Sequence, residues 1–143
     1  MGDFTVRLPR DLYRAEQVRE LDRIAIEEFS IPGFTLMQAA GGAAFAALLE
    51  TWPDVQELLV FTGGGNNGGD GYIIAGLARG HGLRVSCIYL HSPDSLQGDA
   101  ARARDFAIEQ GVEPRPWDVQ EDWFATLKSE TVIVDALLGT GLD

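Results

Sequence analysis

At 143 residues the chain has room for one good-sized hydrophobic core and not for two. Hydrophobic residues make up 45% and charged residues 23%, a globular balance that excludes an intrinsically disordered chain. Asp and Glu number 22 against 11 Lys and Arg, and the resulting charge of −11 would repel a phosphate backbone and argues against nucleic acid as a partner.

Along the chain, residues 1–30 hold Arg7, Arg10, Arg14, Glu16 and Arg19 with no apolar signal core, and no stretch reaches the ~18 apolar residues of a membrane span. A soluble protein without an address is expected. Residues 14–29 predict a first helix, with Val18, Leu21, Ala25 and Phe29 on one stripe, ended by Pro32-Gly33. A second helix is expected from Thr35 to about Glu50, with Thr35 capping and Gln38 reaching back in capping-box spacing. Its Ala39-Ala40-Gly41-Gly42-Ala43-Ala44 run suggests tight packing, against the rest of the chain or against a second copy in a homodimer.

After Pro53, apolar strands alternate with helices. Strands are predicted at 57–61, 84–90 and 131–135, and helices at 70–80, with a Gly82 stop, and at 97–109, with a Gly111 stop. Residues 112–116 fit a further strand, but Pro114 and Pro116 lack the ladder N–H and confine it to an edge. The pattern predicts an α/β fold, a Rossmann-like three-layer sandwich with a central, mainly parallel sheet in the order 3-2-1-4, preceded by two N-terminal helices. Because the sequence stops just after the last strand, one domain truncated at its C-terminus is expected. Cys87, alone in an apolar strand, excludes an internal disulfide framework and suits a reducing cytoplasm.

The densest signal joins the first of these strands to its helix: Gly63-Gly64-Gly65-Asn66-Asn67-Gly68-Gly69-Asp70-Gly71, with six glycines in nine residues. That density exceeds any evident packing need, and it suggests positive φ angles and backbone N–H groups turned to a ligand. Gly63, Gly65 and Gly68 satisfy G-x-G-x-x-G, but the second strand ends in His91-Ser92-Pro93-Asp94 without a well-placed acid for a dehydrogenase ribose contact. No Lys-Ser/Thr follows, which excludes a P-loop. Asp70, expected in the first helical turn, would compete with a phosphate for the helix N-terminus and favours hydroxyl, amide, proton or cation contacts. Its blander reading is a helix cap.

Asp135 ends a core strand and faces the same crevice, or else serves as a turn residue. An Asn oxygen, an Asp carboxylate and loop carbonyls could hold a hard cation. His81 and His91 lack zinc-ligand spacing and read as surface residues.

The run 65–71, followed by Val134-Asp135-Ala136-Leu137-Leu138-Gly139-Thr140-Gly141, resembles the YjeF N-terminal family of NAD(P)H-hydrate epimerases. Arg14-Ala15-Glu16-Gln17 and Gly33-Phe34-Thr35-Leu36-Met37 are similar to the family's opening helices, so the resemblance runs from Leu12 onward. It implies an isomerase of cofactor repair, which interconverts the R and S hydrates of NADH and NADPH for an ADP- or ATP-dependent dehydratase, fused or separate. By the same resemblance, Asn66, Asn67, Gly68, Gly69 and Asp70 contact the hydrated dinucleotide, and Gly139, Thr140, Gly141, Leu142 and Asp143 form a second substrate-binding turn. Asn67 and Asp135 would ligate a potassium ion. Asp70, then Asp135, are the candidates for proton transfer. Two other readings compete: a catalytically silent scaffold, as in the related domains of enhancer-of-decapping proteins, and an ordinary NAD-dependent oxidoreductase.

Overall fold

The computed structural model describes residues 12–125 and 127–139. The chain separates into two compact units, one up to Ile31 and one from Pro32 onward. The first carries helix α1 (Ala15–Glu27). Arg14 N–H donates to Gln17 Oε1 at 2.9 Å, and Arg23 clamps the surface by pairing with Glu20 at 2.7 Å and Glu27 at 2.5 Å.

The second unit opens with α2 (Gly33–Thr51). This helix begins two residues before Thr35, so the expected Thr35–Gln38 box does not form. Pro32 stands at the N-cap with its φ preset at −58°, and its carbonyl accepts from Thr35 and Leu36 at 2.9 and 3.2 Å. Met37, Gly41, Phe45 and Leu48 form its buried face. Gly41 accounts for the close approach expected there, since a Cβ would collide with Ile73; Gly42 meets nothing within 4 Å.

Then follow β1 (Glu57–Thr62), α3 (Asn66–Gly80), β2 (Arg84–Tyr89), α4 (Gly98–Glu109), β3 (Pro114–Pro116) and β4 (Thr131–Ala136). The four strands form one parallel sheet in the order β3-β2-β1-β4, with β3 on the edge where its prolines require it. Gly82 and Gly111 take φ angles of 96° and 89°, the left-handed stops expected after α3 and α4. No described helix is long and apolar enough to cross a membrane.

Side chains alternate across the sheet. Leu58, Val60, Cys87, Val132 and Val134 join the main core beneath α2, α3 and α4. Leu59, Phe61 and Ile88 face the other way, against Trp123, Leu127 and Leu137. That second face is covered, among the described residues, by the irregular β3-to-β4 crossover and not by a helix.

The floor of the main core contains three polar groups. Thr62 and Tyr72 are fully buried, and neither hydroxyl has an aligned hydrogen-bond partner, although the Thr62 hydroxyl lies near both Tyr72 and Cys87. Burial pushes the Tyr72 phenol from 10.0 to about 12 and the Cys87 thiol from 9.0 to about 12. Both groups hold their protons more tightly when folded than when unfolded. Their contribution to stability is therefore complete below pH 9 and is lost as pH climbs from 9 through about 12, at no more than about 1.4 kcal/mol per pH unit for each group. Urea titrations at pH 7, 9 and 10.5 should show this decline, and Cys87→Ala should reduce its slope.

Gly71 packs α3 on the sheet, where a Cβ would stand 2.6 Å from the Ala136 Cβ and 3.2 Å from Thr62 Cγ2. Gly71→Ala is expected to destabilise the unit by about 1–3 kcal/mol. Gly42→Ala, in open space within α2, should instead stabilise by up to about 1 kcal/mol, and the same urea midpoints compare the two.

Candidate functional site

β1 pairs with β4 so that Phe61 lies beside Asp135 and Thr62 beside Ala136, which brings the ends of both strands to one edge. The chain crosses this edge at Gly63, whose N–H donates to the Ala136 carbonyl at 3.0 Å. A Cβ at Gly63 would collide with the Leu137 carbonyl oxygen, and one at Gly68 with the carbonyl of Gly63. At Gly69 it would meet Met37 Sδ at 2.7 Å. Close packing thus explains Gly63, Gly68, Gly69 and Gly71, contrary to the reading of their density as a ligand signal. No residue of 63–71 has a positive φ. Gly64 stands against His91, 3.2 Å from a Cβ to Cγ, and Gly65 faces open space.

α3 starts at Asn66 with Gly65 as an extended N-cap that supplies no side-chain bond. Its first helical hydrogen bond runs from Gly69 N to Gly65 O at 3.1 Å, so the N–H groups of Asn66, Asn67 and Gly68 have no partner within the helix. Asp70 is the fifth residue, beyond the first turn, and is neither the cap nor a first-turn acid. This corrects the expected competition between Asp70 and a phosphate: the helix start lies four residues earlier and its dipole is left to an anion. The Asp70 side chain is half-buried.

The two motifs meet directly. Asn67 Nδ2 donates to the Leu138 carbonyl at 2.9 Å, and a Cβ at Gly139 would stand 3.1 Å from Asn67 Cβ. Asp135 is exposed, and its Oδ1 accepts from Leu137 N–H at 3.1 Å, shaping the turn that reaches Asn67. Asn66 is exposed, and Gly68 and Gly69 are buried. Thr140, Gly141, Leu142 and Asp143 lie outside the described residues.

Among the described residues no group of three or more His, Cys, Asp and Glu could hold a metal. The donors at this edge are an amide, one carboxylate and carbonyls, a hard-oxygen set with a single negative charge, which fits a monovalent cation better than a divalent one. His91 is exposed as expected, but its ring against Gly64 adds it to the crevice wall. Only its place after the second strand could have signalled this. Gly63→Ala should cost about 1–3 kcal/mol, because it forces apart two backbone segments, whereas Gly65→Ala should cost less than about 1 kcal/mol; chemical denaturation separates them.

The family profile described as "YjeF-related protein N-terminus" matches residues 33–143. The chain is 44% identical over 131 residues to the bifunctional NAD(P)H-hydrate repair enzyme Nnr of Coxiella burnetii, covering 92% of this chain and 26% of that protein. It is 36% identical over 126 residues to the NAD(P)H-hydrate epimerase of Rhodopirellula baltica, covering 88% of this chain and 51% of the relative. It thus spans about a quarter to a half of the length of these relatives. The crystal structure of yeast YNL200c shares the fold with a TM-score of 0.77 at 22% identity, over 93% of this chain and 58% of that one. With its glycine loop and β4 turn locked together within the matched region, the chain belongs to the YjeF-related protein N-terminus family.

Proposed function

We propose that this chain carries the substrate site of an NAD(P)H-hydrate epimerase, which interconverts the R and S forms of hydrated NADH and NADPH. The observation that carries the reading is the joining of the two motifs, Gly63 on Leu137 and Asn67 on Leu138 and Gly139, in a chain 36% identical to a named epimerase. The crevice lies outside the carboxyl ends of β1 and β4, where the strand order reverses and open α/β sheets bind ligands.

In this reading the N–H groups of the first turn of α3, which the helix itself does not pair, receive the diphosphate, and the open side of Gly65 admits it. Exposed Asn66 and the turn that Leu138 and Gly139 enter border the sugar and the damaged ring. Epimerisation breaks the C6–O bond with a proton delivered to the departing hydroxyl. Water then adds to the opposite face of the ring and returns a proton. One carboxylate can perform both transfers, and Asp70 is assigned this role, with Asp135 as the second candidate. Asn67 and Asp135 would hold a potassium ion, which supplies fixed positive charge beside the substrate. The exposed alanines of α2, Ala39, Ala40, Ala43 and Ala47, offer a face for a homodimer.

A coupled assay tests the reading: the R hydrate alone is supplied with an S-specific dehydratase and its nucleotide, and recovery of reduced-cofactor absorbance is followed. Asp70→Asn should lower the rate by roughly 10²- to 10⁴-fold at unchanged stability. A folded Asp70→Asn protein that turns over at the parent rate removes Asp70 from the chemistry. Absence of recovery even with a chain extended beyond residue 143 ends the epimerase reading.

A further inference from the structure

On the sheet face opposite α3, the carboxyl ends of the strands carry an aromatic group that the epimerisation chemistry does not use. Phe61, buried at the end of β1, lies 5.6 Å from the Trp117 ring and 6.5 Å from the Phe124 ring, between centroids. Trp117 is 39% exposed and Phe124 57%. Trp117 N–H donates to the Tyr89 carbonyl at 2.9 Å, which extends the β2–β3 ladder by one residue and sets Trp117 beside Leu90. Leu90 is half exposed and precedes His91, whose ring touches Gly64. The exposed rings therefore stand at the same end of the sheet as the glycine loop, toward β2 and β3.

The backbone beneath them is fixed. Asp118 Oδ1 accepts from Gln120 N–H at 2.8 Å, and Asp122 Oδ1 accepts from Phe124 and Ala125 at 3.2 and 3.1 Å. Trp123 packs 6.2 Å from Trp117 with the Arg115 guanidinium over its ring. Trp117 thus packs between Phe61 and Trp123 with part of its ring bare.

Topology assigns direction to a bound dinucleotide. With the diphosphate at the start of α3 and the reacting ring toward the β4 turn, the other end must run toward β2 and β3. The sheet order places the Trp117 backbone three strand spacings from β4, about 14 Å, and its ring reaches back across β2 to Phe61 of β1, so the bare face of the ring lies on the β2–β3 side of the strand beside β4. Charge also selects the neutral part of the ligand. A chain with a net charge of −11 gains little from anions at long range, whereas stacking of an uncharged base does not oppose that field.

We propose that Trp117, flanked by Phe124, is the platform on which the adenine ring of the dinucleotide stacks. The inference rests on the epimerase reading for the placement of the ligand's other half. ADP-ribose and nicotinamide mononucleotide, titrated separately into the chain, test it. ADP-ribose should bind and quench tryptophan emission. Trp117→Ala should weaken ADP-ribose by about tenfold or more and leave the mononucleotide unchanged, and Trp117→Phe should keep the affinity while losing the quench. Equal ADP-ribose affinity in Trp117→Ala overturns the inference, as does failure of the unaltered chain to bind ADP-ribose at millimolar concentration. Self-association abolished by Trp117→Ala without any ligand effect also overturns it and assigns the patch to a second copy. None of these results touches the coupled assay, which decides the epimerase reading separately.

Discussion

The bare α-carbon of Gly63 is the constraint on which the rest of the site depends. At that point β1 ends, α3 is about to begin, and the turn after β4 passes within contact distance, with the Leu137 carbonyl where any side chain on Gly63 would lie. Gly68 closes the same space from the helix side, over the carbonyl of Gly63. Two distant parts of the sequence, the glycine loop with its helix start and the turn after β4, meet with no side chain between them. Close packing of this kind cannot absorb even one extra methyl without displacement. The hydrogen bond from Asn67 to Leu138 follows from this proximity, next to the β1–β4 ladder that sets Asp135 beside Phe61.

The same contact changes what the glycines mean. Their number suggests a loop that exposes backbone to a ligand, yet four of the six are occupied in packing, and none needs a left-handed φ. What remains for a ligand is narrower: the open side of Gly65, and three helical N–H groups that receive no side-chain cap. A Ser or Asp at position 65 would have capped the helix and occupied those donors. Glycine at the N-cap leaves them available, and the missing cap is a modest stability cost borne at the proposed binding edge.

Much of the fold is legible in local chemistry. Pro114 and Pro116 identify the edge strand, and with it the order β3-β2-β1-β4. Gly82 and Gly111 mark helix ends because only their φ angles permit the turn. The start of α3 was not legible for a physical reason. Asn66, Asn67, Gly68 and Gly69 are poor helix formers, and propensity places the helix start after them. Packing of Gly68 on Gly63 and of Gly69 on Met37 outweighs that propensity, and Asp70 moves from the first turn to the second. His91 and Trp117 carry no periodic signal at all. They enter the crevice edge only through the sheet order, which no local window contains.

The shifted helix start also reconciles Asp70 with an anionic ligand. An Asp in the first turn would occupy the positive end of the dipole and repel a diphosphate; in the second turn Asp70 lies beyond that end. Asp135 is separated in a different way, since its Oδ1 is committed to Leu137 N–H and its strand position turns it to the face opposite α3. In the proposed site the two carboxylates therefore approach the ligand from different sides, one from the helix and one from the sheet. In that reading Asp70, on the helix side, serves both proton transfers, and Asp135, on the sheet side, is left to hold the potassium ion.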